Sequence, residues 1–203
     1  MRKILQIGIL FLFPTFSCQG AVVQDTSAVV ETPTDHSSVN YNIPLSKLID
    51  SLKLRTADLN ILILKKTYLL EVRKDTTVIK CYPVVFGFEP LNDKLRQGDG
   101  CTPEGIFHMR AKYPHASWSK FIWINYPTDD SWRKHNQAKR DGTIPANAQI
   151  GGEVGIHGVP EGYDYAIDQR QNWTLGCISL KTKDINEIYK FITETTVIEI
   201  RKE

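Results

Sequence analysis

Short runs of apolar and β-branched residues, separated by polar turns, dominate the chain after residue 58. Runs of about four to eight such residues predict strands. They fall at residues 61–64, 68–73, 78–86, 102–109, 121–126, 150–158 and 196–200. Pro83 lies inside the third run, which predicts an edge strand or a bulge there.

Apolar residues at helical spacing occur near both ends of this region. Residues 44–56 place leucines and an isoleucine on one face, with Ser46 as a candidate cap, and Thr182 precedes a second amphipathic stretch at 183–193. The polar segment 128–140 is either a helix or a loop. We therefore predict a mainly-β domain with short helices at its ends and in its loops.

The first 18 residues have the pattern of an export signal. Arg2 and Lys3 precede an apolar run from Ile4 to Phe13. This run is too short for a membrane span, which needs about 20 residues, but it fits a secretory signal. Ser17 before Cys18 resembles the lipobox of bacterial lipoproteins, in which Cys18 carries the lipid. Ordinary cleavage near Ser17, with Cys18 unmodified, is the alternative.

Three segments follow from this pattern. Residues 1–18 form the signal, and residues 19–42, rich in Ser, Thr, Asp and Val without a sustained period, form a flexible tether. Residues 43–203 form the folded domain, with its core at about 59–200. We expect a protein of the bacterial cell envelope or periplasm that is anchored to a membrane through its lipid.

Composition excludes some partners. The charged fraction of 24% and the hydrophobic fraction of 41% are those of a globular domain. A net charge of +2, with Lys and Arg spread along the chain, does not indicate nucleic acid or an anionic membrane surface as a partner. We expect a monomer whose only membrane contact is the N-terminal lipid.

A histidine and a cysteine form the candidate reactive pair. His157 and Cys177 lie on two apolar segments, and 20 positions in sequence suit neighbouring strands rather than one helix face. A nearby imidazole is the usual activator of a thiol, although a buried, inert cysteine is the commonest alternative. Gly176 permits close backbone approach to a substrate carbonyl, Thr174 offers a hydroxyl, and the Gly158 carbonyl could hold one imidazole nitrogen.

The other cysteines and histidines give weaker signals. Cys81 and Cys101 form a disulfide or remain two free thiols. His108, His115 and His135 lack the spacing of metal ligands, so we expect no metal site.

Two sets of segments resemble one known family. The downstream set is His157-Gly158 with 174–179 (TLGCIS), and the upstream set is 84–87 (VVFG) with 98–107 (GDGCTPEGIF). Both resemble the L,D-transpeptidase catalytic domain, often called YkuD-like, over residues 59–200. Residues 97–99 and 173–177 are similar to the YafK-like branch of that family.

The resemblance implies a β-sandwich-like domain that acts on the stem peptides of peptidoglycan without a metal or an organic cofactor. Cys177 would attack the amide before the terminal D-alanine of a stem tetrapeptide, and His157 would take the thiol proton. The amides of Gly176 and Cys177 would stabilise the oxyanion. The resulting thioester would pass to an amine, giving a 3→3 cross-link, or to water.

Two departures keep alternatives open. Leu175 replaces the histidine that often precedes Gly-Cys, and Ser179 stands where many members have Arg or Asn. Three arginines, Arg133, Arg140 and Arg170, are candidates to bind a substrate carboxylate. The alternatives are a YafK-like murein carboxypeptidase or amidase with the same site, and a non-catalytic lipoprotein that only binds murein.

Overall fold

The structure is a computed structural model that describes residues 39–203. The predicted signal peptide, Cys18 and residues 19–38 of the predicted tether lie outside the described residues. Residues 39–42 contact the domain, because the Cys81 amide donates to the Val39 carbonyl at 3.0 Å and the Asn40 side chain donates to the Ile79 carbonyl at 2.8 Å. These four residues therefore belong to the folded unit rather than to a free tether.

Five strands follow the first helix, and strands and short helices alternate only after the fifth strand. The strands are β1 (Leu59–Leu64), β2 (Leu69–Lys74), β3 (Thr77–Pro83), β4 (Gly105–His115), β5 (Ser119–Ile124), β6 (Gly155–Gly158), β7 (Ile178–Leu180) and β8 (Val197–Arg201). The helices are α1 (Leu45–Ser51), α2 (Asp129–Arg140), α3 (Tyr165–Asp168) and α4 (Thr182–Ile188), with a 3₁₀ turn at Thr56–Asp58. Among residues 39–203, no helix has the length and apolar content needed to cross a bilayer.

All eight strands belong to one mixed sheet in the order β3-β2-β1-β8-β4-β5-β6-β7. The pairs β1–β8 and β6–β7 are parallel, and the others are antiparallel. The long strand β4 joins two halves of the sheet, because its first residues pair with β8 and its later residues pair with β5. The predicted mainly-β class is confirmed. Strand β3 is an edge strand, one of the two alternatives predicted from Pro83, but it ends at Pro83 rather than continuing to residue 86.

Both halves of the sheet contribute to one hydrophobic core. Ile63 and Ile198 come from one half, and Ile122, Ile156 and Ile178 come from the other. Successive side chains of a strand point to opposite faces. The neighbour of Ile156 on β6, which is His157, therefore lies on the face away from this core.

Helix boundaries differ from the sequence prediction at both ends of the domain. Helix α1 begins after Pro44, and Ser46 does not cap it. Instead, the Leu45 amide donates to Glu187 Oε1 at 2.6 Å, so a distant side chain replaces the local cap. Helix α4 ends at Ile188, before the predicted Thr193. The segment 128–140 is the helix α2.

Glu187 joins three elements through its carboxylate. It accepts hydrogen bonds from the Leu45 amide of α1, from Tyr82 Oη at 2.7 Å and from Lys80 Nζ at 2.8 Å. The Lys80 side chain is only 3% exposed, so its ammonium depends on this partner inside the domain.

We predict that Glu187→Ala lowers the free energy of unfolding by about 3 kcal/mol, because it leaves the buried Lys80 charge unpaired. Urea denaturation measures this change. The matched control is Glu194→Ala, since Glu194 is exposed, and its effect should stay within about 0.5 kcal/mol. Equal effects of the two substitutions would contradict a structural role for the Glu187 carboxylate.

Candidate active site

His157 and Cys177 line the same cavity, which has a volume of about 1120 Å³. This volume is slightly above the range of about 300 to 1,000 Å³ common for small-molecule sites. Helix α2, three loops and the turn between β4 and β5 form the rest of its wall. These residues are Lys94, 97–98, Trp118, Trp132, His135, Lys139, 148–154 and 173–176.

The register of the sheet brings the pair together. Strands β6 and β7 are parallel, with Ile156 opposite Ile178 and His157 opposite Ser179. Cys177 comes directly before β7, so it lies at the strand end that is beside the start of β6. The two residues therefore lie on adjacent paired segments at the wall of one cavity, although 20 positions separate them in sequence.

The Cys177 thiol is held in its neutral form. Burial raises its pKa to about 11, while a hydrogen bond from the Gly155 amide and the charge of Lys94 act in the opposite direction. The sulfur lies 3.6 Å from the Glu153 carbonyl oxygen, which can accept the thiol proton's weak hydrogen bond. Little thiolate is present at neutral pH in the free protein.

His157 is also neutral, and its tautomer follows from its hydrogen bond. Nδ1 lies 2.7 Å from the Gly158 carbonyl oxygen, and because a carbonyl only accepts, Nδ1 carries the proton. Nε2 is then unprotonated and able to act as a base. Burial lowers the pKa of His157 to about 4, so the imidazole stays neutral over the physiological range.

Aromatic rings enclose the imidazole of His157. Trp118 stacks on it at 4.3 Å between ring centroids, Phe121 lies nearly parallel at 5.7 Å, and Trp173 contacts it edge-on at 5.5 Å. The Trp118 carbonyl also accepts the Gly158 amide at 3.1 Å. Trp118 thus fixes both the ring and the backbone beside it, a role that its place in the turn between β4 and β5 did not reveal.

The turn before Cys177 is built by Thr174 and Gly176. The Thr174 hydroxyl accepts the Gly176 amide at 3.2 Å and donates to the Cys177 carbonyl at 2.7 Å. Gly176 has a φ of +143°, and a Cβ there would lie 2.6 Å from the Cys101 carbonyl oxygen, so only glycine fits. Within residues 39–203 the Cys177 amide has no hydrogen-bond partner, whereas the Gly176 amide is bonded to Thr174.

Cys81 and Cys101 are both buried and both free. Of the two alternatives that the sequence left open, the structure therefore shows unpaired thiols.

The arginines suggested as carboxylate binders are not at the site. Arg133, Arg140 and Arg170 do not line the cavity, and their side chains bond within α2 or lie over a tyrosine ring. Two lysines, Lys94 and Lys139, line it instead. The sequence could not separate these cations, because lysines and arginines in polar segments are usually at the surface and nothing in the sequence marks Lys94 as buried.

Comparison with known proteins gives a family and a fold. The YkuD family model, described as the L,D-transpeptidase catalytic domain, matches residues 59–200. Among solved structures, the helical cell shape determining protein Pgp2 from Campylobacter jejuni is 16% identical with a TM-score of 0.51, covering 78% of this chain and 55% of that one. Bd1075 from Bdellovibrio bacteriovorus is 19% identical with a TM-score of 0.50, covering 72% and 48%. No curated protein matches the chain.

The chain thus spans about half the length of these two structures. At such low identity the likeness shows a shared fold.

We predict that Trp118→Ala raises the pKa of His157 from about 4 towards 6.5, because it admits water to the buried ring. An NMR titration of the imidazole resonances measures this change. The matched control is Trp123→Phe on the same strand hairpin, since the Trp123 ring packs against Arg110 rather than His157. An unchanged pKa in Trp118→Ala would contradict the role of Trp118 as the cover of His157.

The same shift makes stability depend on pH. The unfolded chain protonates His157 near pH 6.5, whereas the folded protein does so only near pH 4. Protons therefore favour the unfolded state in this window, and stability is lost as the pH falls from 6.5 to 4, by about 3 kcal/mol. Denaturation of wild type and His157→Gln across this window isolates the contribution, since glutamine does not titrate.

Proposed function

Because the chain belongs to the family of L,D-transpeptidase catalytic domains, we propose that it is an exported peptidoglycan L,D-transpeptidase with Cys177 as its nucleophile. The observation that carries the proposal is the neutral His157 in the same cavity as the Cys177 thiol, with its Nδ1 on the Gly158 carbonyl and its Nε2 free to accept a proton.

The first step forms a tetrahedral oxyanion, the intermediate on the way to a thioester. The Cys177 sulfur attacks the carbonyl carbon of the amide before the terminal D-alanine, and the thiol proton passes to His157 Nε2. A C–S bond forms while the carbonyl electron pair moves to oxygen, and the Cys177 amide donates to that oxyanion. Since the thiol pKa is about 11 and the imidazole pKa about 4, proton transfer accompanies the attack rather than preceding it.

The oxyanion then collapses. The C–N bond breaks, and the imidazolium of His157 gives its proton to the leaving amine of D-alanine. What remains is a thioester between Cys177 and the diamino acid that was third in the stem peptide. In this step His157 changes from base to acid, as proton balance requires.

The second substrate resolves the thioester. The side-chain amine of another stem peptide attacks the thioester carbon, gives its proton to His157 Nε2 and forms a 3→3 amide cross-link as the thiol leaves protonated. The cavity of about 1120 Å³ is larger than most small-molecule sites, as an acceptor beside the acyl group would require. Water in place of the amine would give hydrolysis, the outcome of the YafK-like alternative.

The proposal includes export. A signal at residues 1–18, a lipid on Cys18 and a tether after it would hold the domain at the membrane within reach of peptidoglycan. The lysines and arginines of the catalytic domain would take no part in membrane attachment.

We predict that the purified protein, incubated with disaccharide tetrapeptide, releases D-alanine and forms 3→3 dimers. Cys177→Ala should abolish both products, and His157→Gln should lower the rate by about a hundredfold or more. Chromatography with mass spectrometry of the muropeptides measures both. Cys81→Ala is the matched control, because Cys81 is a free thiol buried in β3 away from the cavity.

The products also separate the alternatives. Tripeptide without dimers would replace the transpeptidase by a murein carboxypeptidase. Wild-type protein that binds the muropeptide but releases no D-alanine would make the non-catalytic binding protein the better description.

A further inference from the structure

Three lysine side chains are buried in the described part of the chain. Each forms an ion pair with a carboxylate, as a buried ammonium requires. The pairs are Lys65–Glu104 at 2.7 Å, Lys80–Glu187 at 2.8 Å and Lys94–Asp99 at 2.8 Å. Of these three lysines, only Lys94 lines the cavity that contains Cys177.

Lys94 differs from Lys65 in its hydrogen bonds, and from Lys80, which also has two acceptors (the Ile43 carbonyl and Glu187), in lining the cavity. An ammonium has three N–H donors. Lys65 uses all three, on two backbone carbonyls and on Glu104. Lys94 uses two, on Asp99 Oδ1 at 2.8 Å and on the Arg96 carbonyl at 3.2 Å, and no third acceptor is found among residues 39–203. One donor of a side chain that is 4% exposed therefore remains for a ligand.

The position of Lys94 is fixed by its carboxylate partner. Asp99 accepts hydrogen bonds from the backbone amides of Leu95, Arg96 and Cys101 at 2.8 to 3.0 Å. These bonds hold the loop around the Lys94 ammonium. The side chain is therefore placed before any substrate arrives, which lowers the entropic cost of binding.

Lys94 Nζ also lies beside the nucleophile. It is 3.6 Å from the point that a Cβ on Gly176 would occupy, and Gly176 precedes Cys177. A peptide that presents its scissile carbonyl to Cys177 has its terminal carboxylate only a few bonds further along. Ser179, which replaces a larger polar residue of the family, cannot reach this group, because its hydroxyl is buried and does not line the cavity.

We propose that Lys94 binds the terminal carboxylate of the donor peptide and so selects substrates with a free carboxylate one residue beyond the scissile amide. This inference rests on the proposed function for the identity of the peptide. The contact is a charge-assisted hydrogen bond in a partly enclosed site, which is stronger than a neutral one.

The test compares a stem tetrapeptide that ends in a carboxylate with the same peptide ending in a primary amide. For wild type we expect kcat/KM to be about ten- to a hundredfold higher for the acid. Lys94→Gln should bring the ratio of kcat/KM for the acid to that for the amide close to one, mainly by lowering kcat/KM for the acid peptide. A second variant, Lys94→Met, which keeps Asp99 and its bonds to the loop amides, should do the same.

Lys139→Gln is the matched charge control. Lys139 lies on α2 and lines the same cavity, so its substitution removes an equal charge but should leave the acid-to-amide ratio unchanged. If Lys94→Gln slows both peptides equally and keeps the ratio, Lys94 has only a structural role and the proposal is overturned. A ratio that falls equally in Lys139→Gln would overturn it as well, since general cavity charge would then explain the preference.

Binding separates this inference from the proposed function. Calorimetric titration of both peptides into Cys177→Ala needs no turnover. It therefore tests whether Lys94 binds the terminal carboxylate even if the wild-type protein proves inactive. We expect Cys177→Ala to bind the acid more tightly than the amide, and Cys177→Ala/Lys94→Gln to bind both alike. This result would support carboxylate binding by Lys94 even if the transpeptidase proposal fails. Equal or undetectable binding of the two peptides by an inactive protein would overturn the inference.

Discussion

The buried hydrogen bond between His157 Nδ1 and the Gly158 carbonyl is the interaction on which the rest of the site depends. It determines which nitrogen carries the proton and leaves Nε2 as a base. The bond joins a side chain to the residue next to it, so its geometry is set by strand β6 itself. The rings of Trp118, Phe121 and Trp173 keep water from this bond and hold the imidazole in place.

Burial gives the pair a particular resting state. With a thiol pKa of about 11 and an imidazole pKa of about 4, both groups are neutral in the free protein. An ion pair would be reactive at all times, whereas a neutral pair becomes reactive when a bound carbonyl accepts the developing charge. A neutral thiol is also less exposed to unwanted oxidation, since the thiolate is the form that oxidants attack.

Much of this arrangement follows from local sequence, and some of it does not. The Gly-flanked apolar segments around His157 and Cys177 predicted two strands, because the residue pattern of a strand is local, and the 20 positions between the two residues leave room for a connection between neighbouring strands. The cap of α1 could not be predicted, since Glu187 supplies it from 142 positions away in the chain. Trp118 and Lys94 lie in a turn and a polar loop, where sequence shows no periodicity, and only tertiary packing brings them to the cavity.

The proposed reaction has a thioester on Cys177 as an obligatory intermediate. Intact-protein mass spectrometry during incubation with a stem tetrapeptide should show a mass increase equal to the peptide minus its terminal alanine. Proteolytic mapping should place the adduct on the peptide that contains Cys177, and Cys177→Ala should show no adduct. Product formation with an adduct on another residue, or by Cys177→Ala itself, would contradict Cys177 as the nucleophile.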